Sequence, residues 1–172
     1  GANRLIEAIK RYQPKLVCLP NPDSPTGTFF LEDELEKIIS VCCDNEVLIL
    51  VDEAYHPFCE ITALSWINRF PNLVIARTFA KAWGLAGLRI GFAVGNNEVI
   101  SFLHKVKPMY EINSVAVAVV TKMLEKHNEV ISSVHRLKAG MSLFLDNMKE
   151  FEYDVIEGAG NFSHVCFGER LE

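Results

Sequence analysis

Residues 15–55 read KLVCLPNPDSPTGTFFLEDELEKIISVCCDNEVLILVDEAY, and this stretch decides the fold. Two short apolar runs, residues 15–19 and 47–51, are rich in Leu, Val and Ile, and each closes on a turn signal, as buried strands do. Between them Leu31, Leu35, Ile38, Ile39 and Cys42 recur at helical spacing. Glu32, Asp33 and Glu34 stand where the positive end of a helix favours acids. The order is strand, helix, strand.

Working outward, residues 73–76 and 90–94 repeat the short apolar pattern. Alternation of this kind predicts an α/β fold, a largely parallel sheet covered by helices, with ligands beyond the carboxyl ends of the strands. From residue 98 to about 149 the pattern turns helical. Pro108 interrupts it, and Val117, Val120, Leu124, Val130, Ile131, Val134, Leu137, Met141 and Leu145 form an apolar stripe that predicts a long helix. Strand-like runs at 153–156 and 162–167, around Gly158 and Gly160, are expected to open a second domain.

Composition narrows the class. The chain is 49% hydrophobic and 23% charged, as in ordinary globular domains, and its net charge of -5 with scattered basic residues argues against nucleic-acid binding. The longest apolar runs are far too short to span a bilayer, so no membrane role is expected. Five cysteines, Cys18, Cys42, Cys43, Cys59 and Cys166, form no metal or disulfide pattern and read as reduced, buried thiols of a cytoplasmic protein. The five histidines show no ligand spacing, so no metal is expected; His56 is a candidate lining residue and His164 reads as an ordinary strand residue. The chain begins at Gly1 and stops at Glu172 soon after a strand-like run, as a piece of a longer protein does.

The polar residues gather where the strands end. After the first strand comes N-P-D-S-P-T-G at residues 21–27, a rigid turn beside the Asn21 amide. The second strand ends in D-E-A-Y at residues 52–55. By itself Asp52 also reads as a helix cap or metal ligand, although no phosphate-binding glycine loop with lysine precedes it. The third strand runs into T-F-A-K at residues 78–81 and then G-L-A-G-L-R-I-G at 84–91. Lys81 stands among Phe79, Ala80, Ala82, Trp83 and Leu85. An apolar niche disfavours an ammonium and prepares a neutral amine for attack on a carbonyl. Arg89, between Gly87 and Gly91, suits a phosphate because guanidinium holds two oxygens at once; the bland alternative is a surface ion pair.

In this order and at these separations the motifs resemble the pyridoxal 5'-phosphate (PLP)-dependent aminotransferases of fold type I, class I/II, nearest the histidinol-phosphate aminotransferase-like branch. The resemblance covers nearly the whole chain. It implies a three-layer α/β sandwich, with residues 1–148 as part of the PLP-binding large domain and 149–172 as the start of a small α+β domain. It also implies that Lys81 holds the cofactor as a Schiff base and that Asp52 pairs with the pyridine nitrogen. Asn21 and Tyr55 would hydrogen-bond the ring's phenolic oxygen, and Thr78 and Arg89 would bind the phosphate. The family usually has serine just before the lysine; Ala80 stands there instead and removes one phosphate or backbone contact.

The implied reaction moves an amino group between an amino acid or amino-phosphate donor and a 2-oxo acid acceptor, in amino-acid biosynthesis, with Lys81 as both tether and base. A homodimer is implied. Members are considerably longer, so the glycine-bearing phosphate loop, the aromatic that stacks on the cofactor and the carboxylate-binding arginine are expected outside this stretch. Residues 107–113 resemble the lead into the interdomain helix, which makes Tyr110 and Asn113 pocket candidates; a proline-broken turn is the alternative. Two other readings remain: a decarboxylase or lyase of the threonine-phosphate decarboxylase kind, and a non-catalytic domain of the same fold.

Overall fold

The computed structural model describes residues 1–168. Helix α1 (Ala2–Tyr12) leads into β1 (Leu16–Pro20), α2 (Glu32–Asp44), β2 (Leu48–Asp52), β3 (Leu73–Thr78) and β4 (Gly91–Gly95). Then follow α3 (Asn97–Val106), α4 (Ser114–Leu124), α5 (His127–Glu150), β5 (Asp154–Ile156) and β6 (His164–Cys166). The main sheet has the order β1-β2-β3-β4. Its first three strands are parallel. Strand β4 is antiparallel to β3, because residues 79–90 return the chain through turns rather than through a covering helix.

Alternation along the strands builds the core. Leu19, Ile49, Val51, Leu73 and Ile75 face one side of the sheet, where Ile6 and Ile9 of α1 and Leu35, Ile38, Ile39 and Cys42 of α2 cover them. Each fully buried Leu or Ile here contributes roughly 2 kcal/mol of transfer free energy. The Glu34 carboxylate reaches back to accept the Leu31 N–H at 3.1 Å, which fixes where α2 begins. The connection from β2 to β3 has one 3-10 turn (Leu64–Trp66), and Trp66 and Phe70 seal the core below it.

Four differences from the sequence reading have physical causes. Strand β4 is not buried, since Gly91, Phe92 and Ala93 are exposed on an outer strand of the sheet. The helical region 98–149 is three helices. Pro108 marks the first break, and the second falls at Glu125–Lys126, where neither Gly nor Pro gives warning. Its apolar stripe is only partly used: Val120, Val130 and Val134 are buried, whereas Val117, Leu124 and Leu137 are exposed. Of the cysteines, Cys42 and Cys59 are buried but Cys18 and Cys166 are exposed. Burial, with Cys43 beside it, pushes the Cys42 thiol up to about 11, so it is no nucleophile near neutral pH.

Strands β5 and β6 form a separate antiparallel pair after α5. Their connection folds back onto the first strand-end loop. The Ala159 N–H donates to the Gly27 carbonyl at 2.8 Å, and a Cβ at Gly158 would lie 2.7 Å from the Gly27 backbone, so glycine is needed for this approach. No helix of the described residues is long and apolar enough to cross a membrane.

Candidate active site

The register sets the polar strand-end residues side by side. Pro20 pairs with Asp52, Asp52 with Ala76, and Thr78 with Gly91, so Asn21, Asp52 and Thr78 follow or end parallel strands at one edge, where Arg89 precedes the antiparallel β4. The Asn21 N–H donates to the Asp52 carbonyl at 2.9 Å. Asn21 is buried, and its Oδ1 accepts the Phe30 N–H at 2.8 Å. Its Nδ2 is buried with no hydrogen-bond partner among the described residues. A buried donor left unmade costs free energy, and so this amide is poised for an acceptor.

Asp52 is exposed, with Oδ1 accepting the Ala54 N–H at 2.9 Å, which starts the turn that carries Tyr55. Tyr55 is buried; its hydroxyl donates to Ser24 Oγ at 3.4 Å, and Phe162 packs edge-on against its ring at 5.0 Å between centroids. The Lys81 ammonium lies 5.0 Å from the centre of the same ring. Burial pushes the Tyr55 hydroxyl up, but hydrogen bonds with Ser24 and Lys81 and the Lys81 charge bring it below the ordinary phenol value, with the Asp52 charge opposing. Tyr55 thus senses both Lys81 and Asp52.

The apolar niche expected around Lys81 is not what the fold provides on this side. Lys81 is exposed at a turn, while Phe79, Trp83, Leu85 and Leu88 turn the other way and pack with Ile90 and Val120. Sequence neighbours at a turn point in different directions. Asp52 and Lys81 are both exposed, and Tyr55 lies within electrostatic reach of each. A cavity of about 560 Å³ lies elsewhere, between α5 and Gly158–Gly160.

Thr78 holds the turn that leads to Lys81: its Oγ1 accepts the Ala80 N–H at 3.0 Å and donates to the Ile90 carbonyl at 3.4 Å. Arg89 is exposed in the left-handed region at φ 53°, and its Nη1 donates to the Ala86 carbonyl at 3.0 Å. Of the two flanking glycines, Gly91 is required, because a Cβ there would stand 2.6 Å from the Arg77 carbonyl, but Gly87 faces open space.

The lesser candidates are placed elsewhere. His56 lines a separate cavity of about 110 Å³ with Arg77, Thr78 and His127. Burial, then the Arg77 charge, holds its imidazole below the usual range, against Glu53. Asn113 caps α4 by accepting the Ala116 N–H at 2.8 Å, and Tyr110 is 92% exposed, so neither meets Tyr55 or Lys81. His164 is in β6, its ring nitrogen against the Pro25 carbonyl. What the sequence reading misses is Glu53, buried behind the site and paired with Arg77. The signal is in the sequence: Glu53 directly follows Asp52 at the strand's end and its N–H continues the ladder to the Ala76 carbonyl, so the two side chains point to opposite faces.

The sequence profile of the family described as aminotransferase class I and II matches residues 2–171. The chain belongs to this family. It is 36% identical over 157 residues to histidinol-phosphate aminotransferase 1 of Nitrosococcus oceani, an alignment covering 89% of this chain and 42% of that protein. Among solved structures it resembles histidinol-phosphate aminotransferase from Sinorhizobium meliloti, determined in complex with pyridoxal 5'-phosphate, with TM-score 0.87, 24% identity, and 98% of this chain matching 47% of that one. It also resembles a decarboxylase from Sulfurospirillum multivorans, with TM-score 0.85, 20% identity, and all of this chain matching 46% of that one. These two likenesses show the fold. The chain spans less than half the length of these relatives.

Proposed function

We propose that the protein is a PLP-dependent aminotransferase acting on an amino acid or an amino-phosphate such as histidinol phosphate, with a 2-oxo acid as acceptor. One observation carries the reading. An amine (Lys81), a carboxylate (Asp52) and a phenol (Tyr55) meet at one sheet edge, beside a buried amide nitrogen that has no partner among the described residues. The names of the relatives support it, since family and fold alone do not fix the bond broken.

The residues fit the cofactor. Asn21 Nδ2 lacks an acceptor of the kind that a ring oxygen supplies, and Arg89 and Thr78 stand at adjoining strand ends for a phosphate. When bound, PLP supplies a carbonyl carbon for an amine and an electron sink for the substrate. Lys81 would tether it and, once displaced by the donor's amine, carry a proton from or to the substrate α-carbon. Asp52 would hold a proton on the ring nitrogen by its charge. Tyr55 and Asn21 would donate to the ring's phenolic oxygen. A hydroxyl already favoured in its ionised form by Lys81 suits a group that shares its proton with an anion.

The two-part organisation, 1–148 with the large domain and 149–172 with the small one, is supported by β5 and β6 forming their own sheet. Position 148 falls within the last turn of α5, and residues 169–172 lie outside the described part. Exposed Phe102, Val106 and Met109 on α3 and after it support the homodimer, and free cysteines support a cytoplasmic setting.

Asn21→Asp keeps the oxygen that accepts the Phe30 N–H and replaces the free donor by a second oxygen. PLP affinity is expected to fall by about tenfold to a hundredfold, the worth of a hydrogen bond to a charged group. An absorbance titration checks this, and unchanged affinity would remove Asn21 from the site. The reaction is tested by product analysis with a panel of amino donors and PLP. Keto acid appearing in step with amino transfer is expected; carbon dioxide release without it would favour the decarboxylase reading.

A further inference from the structure

Asp52 ends β2, Glu53 follows it directly, and the two face opposite ways. Alternation sends Asp52 to the crevice side with Ala76 and Thr78, and Glu53 to the reverse side with Arg77. Asn21 and Glu53 are the buried polar residues of the described chain, and Glu53 is 1% exposed. Its Oε1 accepts the Ala63 N–H at 2.7 Å and the Thr62 hydroxyl at 2.9 Å. Its Oε2 accepts Arg77 Nε at 3.0 Å and Nη2 at 2.8 Å, and Arg77 Nη2 also donates to Thr62 Oγ1 at 2.8 Å. The backbone joins in: the Glu53 N–H donates to the Ala76 carbonyl at 2.9 Å, and the Glu53 carbonyl accepts the His56 N–H at 3.0 Å.

One residue therefore ties together the end of β2, the end of β3, the turn that carries Tyr55 and the start of the 3-10 turn. On the other side the hold among the described residues is looser: Asp52 and Lys81 are exposed, and the Tyr55 hydroxyl has Ser24 at 3.4 Å and the Lys81 amine as its partners. A well-packed apolar pair often matches a buried ion pair in stability, so a buried, fully bonded carboxylate is better understood as fixing geometry. We propose that Glu53, acting with Arg77 and Thr62, is a positioning residue of the cofactor site: from behind the sheet it sets where the Tyr55 hydroxyl stands relative to Lys81 and Asp52. This rests on reading the strand ends as a PLP site.

The groups facing the Tyr55 hydroxyl are Ser24, Lys81 and Asp52, so its ionisation reports their placement without cofactor. The intact protein, Glu53→Gln, and the double variant Glu53→Leu with Arg77→Met are titrated by ultraviolet absorbance without PLP. The Tyr55 signal is the part that Tyr55→Phe removes. The double variant replaces the ion pair by apolar side chains, which keeps a folded comparison if the single one fails to fold. In a variant folded by circular dichroism, the phenol is expected to titrate at higher pH than in the wild type. PLP affinity is expected to fall about tenfold, as loss of an outer-shell partner does at other sites. A folded variant whose phenol titrates as in the wild type overturns the proposal, whatever its affinity. Failure of the wild type to bind PLP would overturn the cofactor reading instead, and the titration would still decide the role of Glu53.

Discussion

Lys81→Ala is expected to lower turnover by more than about a thousandfold, because one amine is proposed both to tether the cofactor and to move the substrate proton, and each role contributes factors of that order. The variant isolates chemistry from folding. Lys81 is exposed at a turn, and its apolar sequence neighbours pack without it. Exposed substitutions of this kind change stability by about 0.5 kcal/mol or less. Steady-state rates with saturating PLP, alongside thermal midpoints, check both halves of the statement. Added methylamine should restore part of the rate, because it can replace the proton-carrying amine. A rate within tenfold of the wild type would assign the proton transfer to another group.

Asp52→Asn is expected to lower turnover by about a hundredfold to a thousandfold, the usual cost of removing one preorganised electrostatic contact from a reacting centre. Asparagine preserves much of what the structure shows: its amide oxygen can still accept the Ala54 N–H that Asp52 Oδ1 now accepts at 2.9 Å, so the turn that presents Tyr55 is kept. The negative charge proposed to hold a proton on the ring nitrogen is lost. Turnover should therefore fall further than PLP affinity. Rate and affinity measured on one preparation separate the two, and a parallel loss would mean that Asp52 only binds.

Much of this could be read from the sequence because strands and helices carry different periods. Runs of Val, Ile and Leu placed β1, β2 and β3 to within a residue or two, and the Leu35, Ile38, Ile39, Cys42 spacing placed α2. Helix α1 is not among the elements expected from the sequence, although Ile6 and Ile9 bury one face of it. The register that brings Asn21, Asp52 and Thr78 to one edge follows from a parallel sheet whose candidate site residues come directly after or at the end of its strands. The environment of Lys81 was not legible, since composition around a turn says which side chains are near in sequence and not which way each points. Nor was the second break in the helical region, where the chain leaves α4 without glycine or proline. Glu53 was hidden for a related reason: the motif puts it beside Asp52, and only the neighbouring strand, with Arg77 on the same face, shows that the two carboxylates serve opposite sides of the sheet.

The central claim is that Lys81 is the amine that takes the cofactor. It is tested most directly by adding PLP to the protein, reducing with borohydride and mapping the labelled peptide. The account predicts one stoichiometric label, on the peptide containing Lys81, and none in Lys81→Ala. A label fixed on another lysine, with Lys81 unmodified, would contradict it.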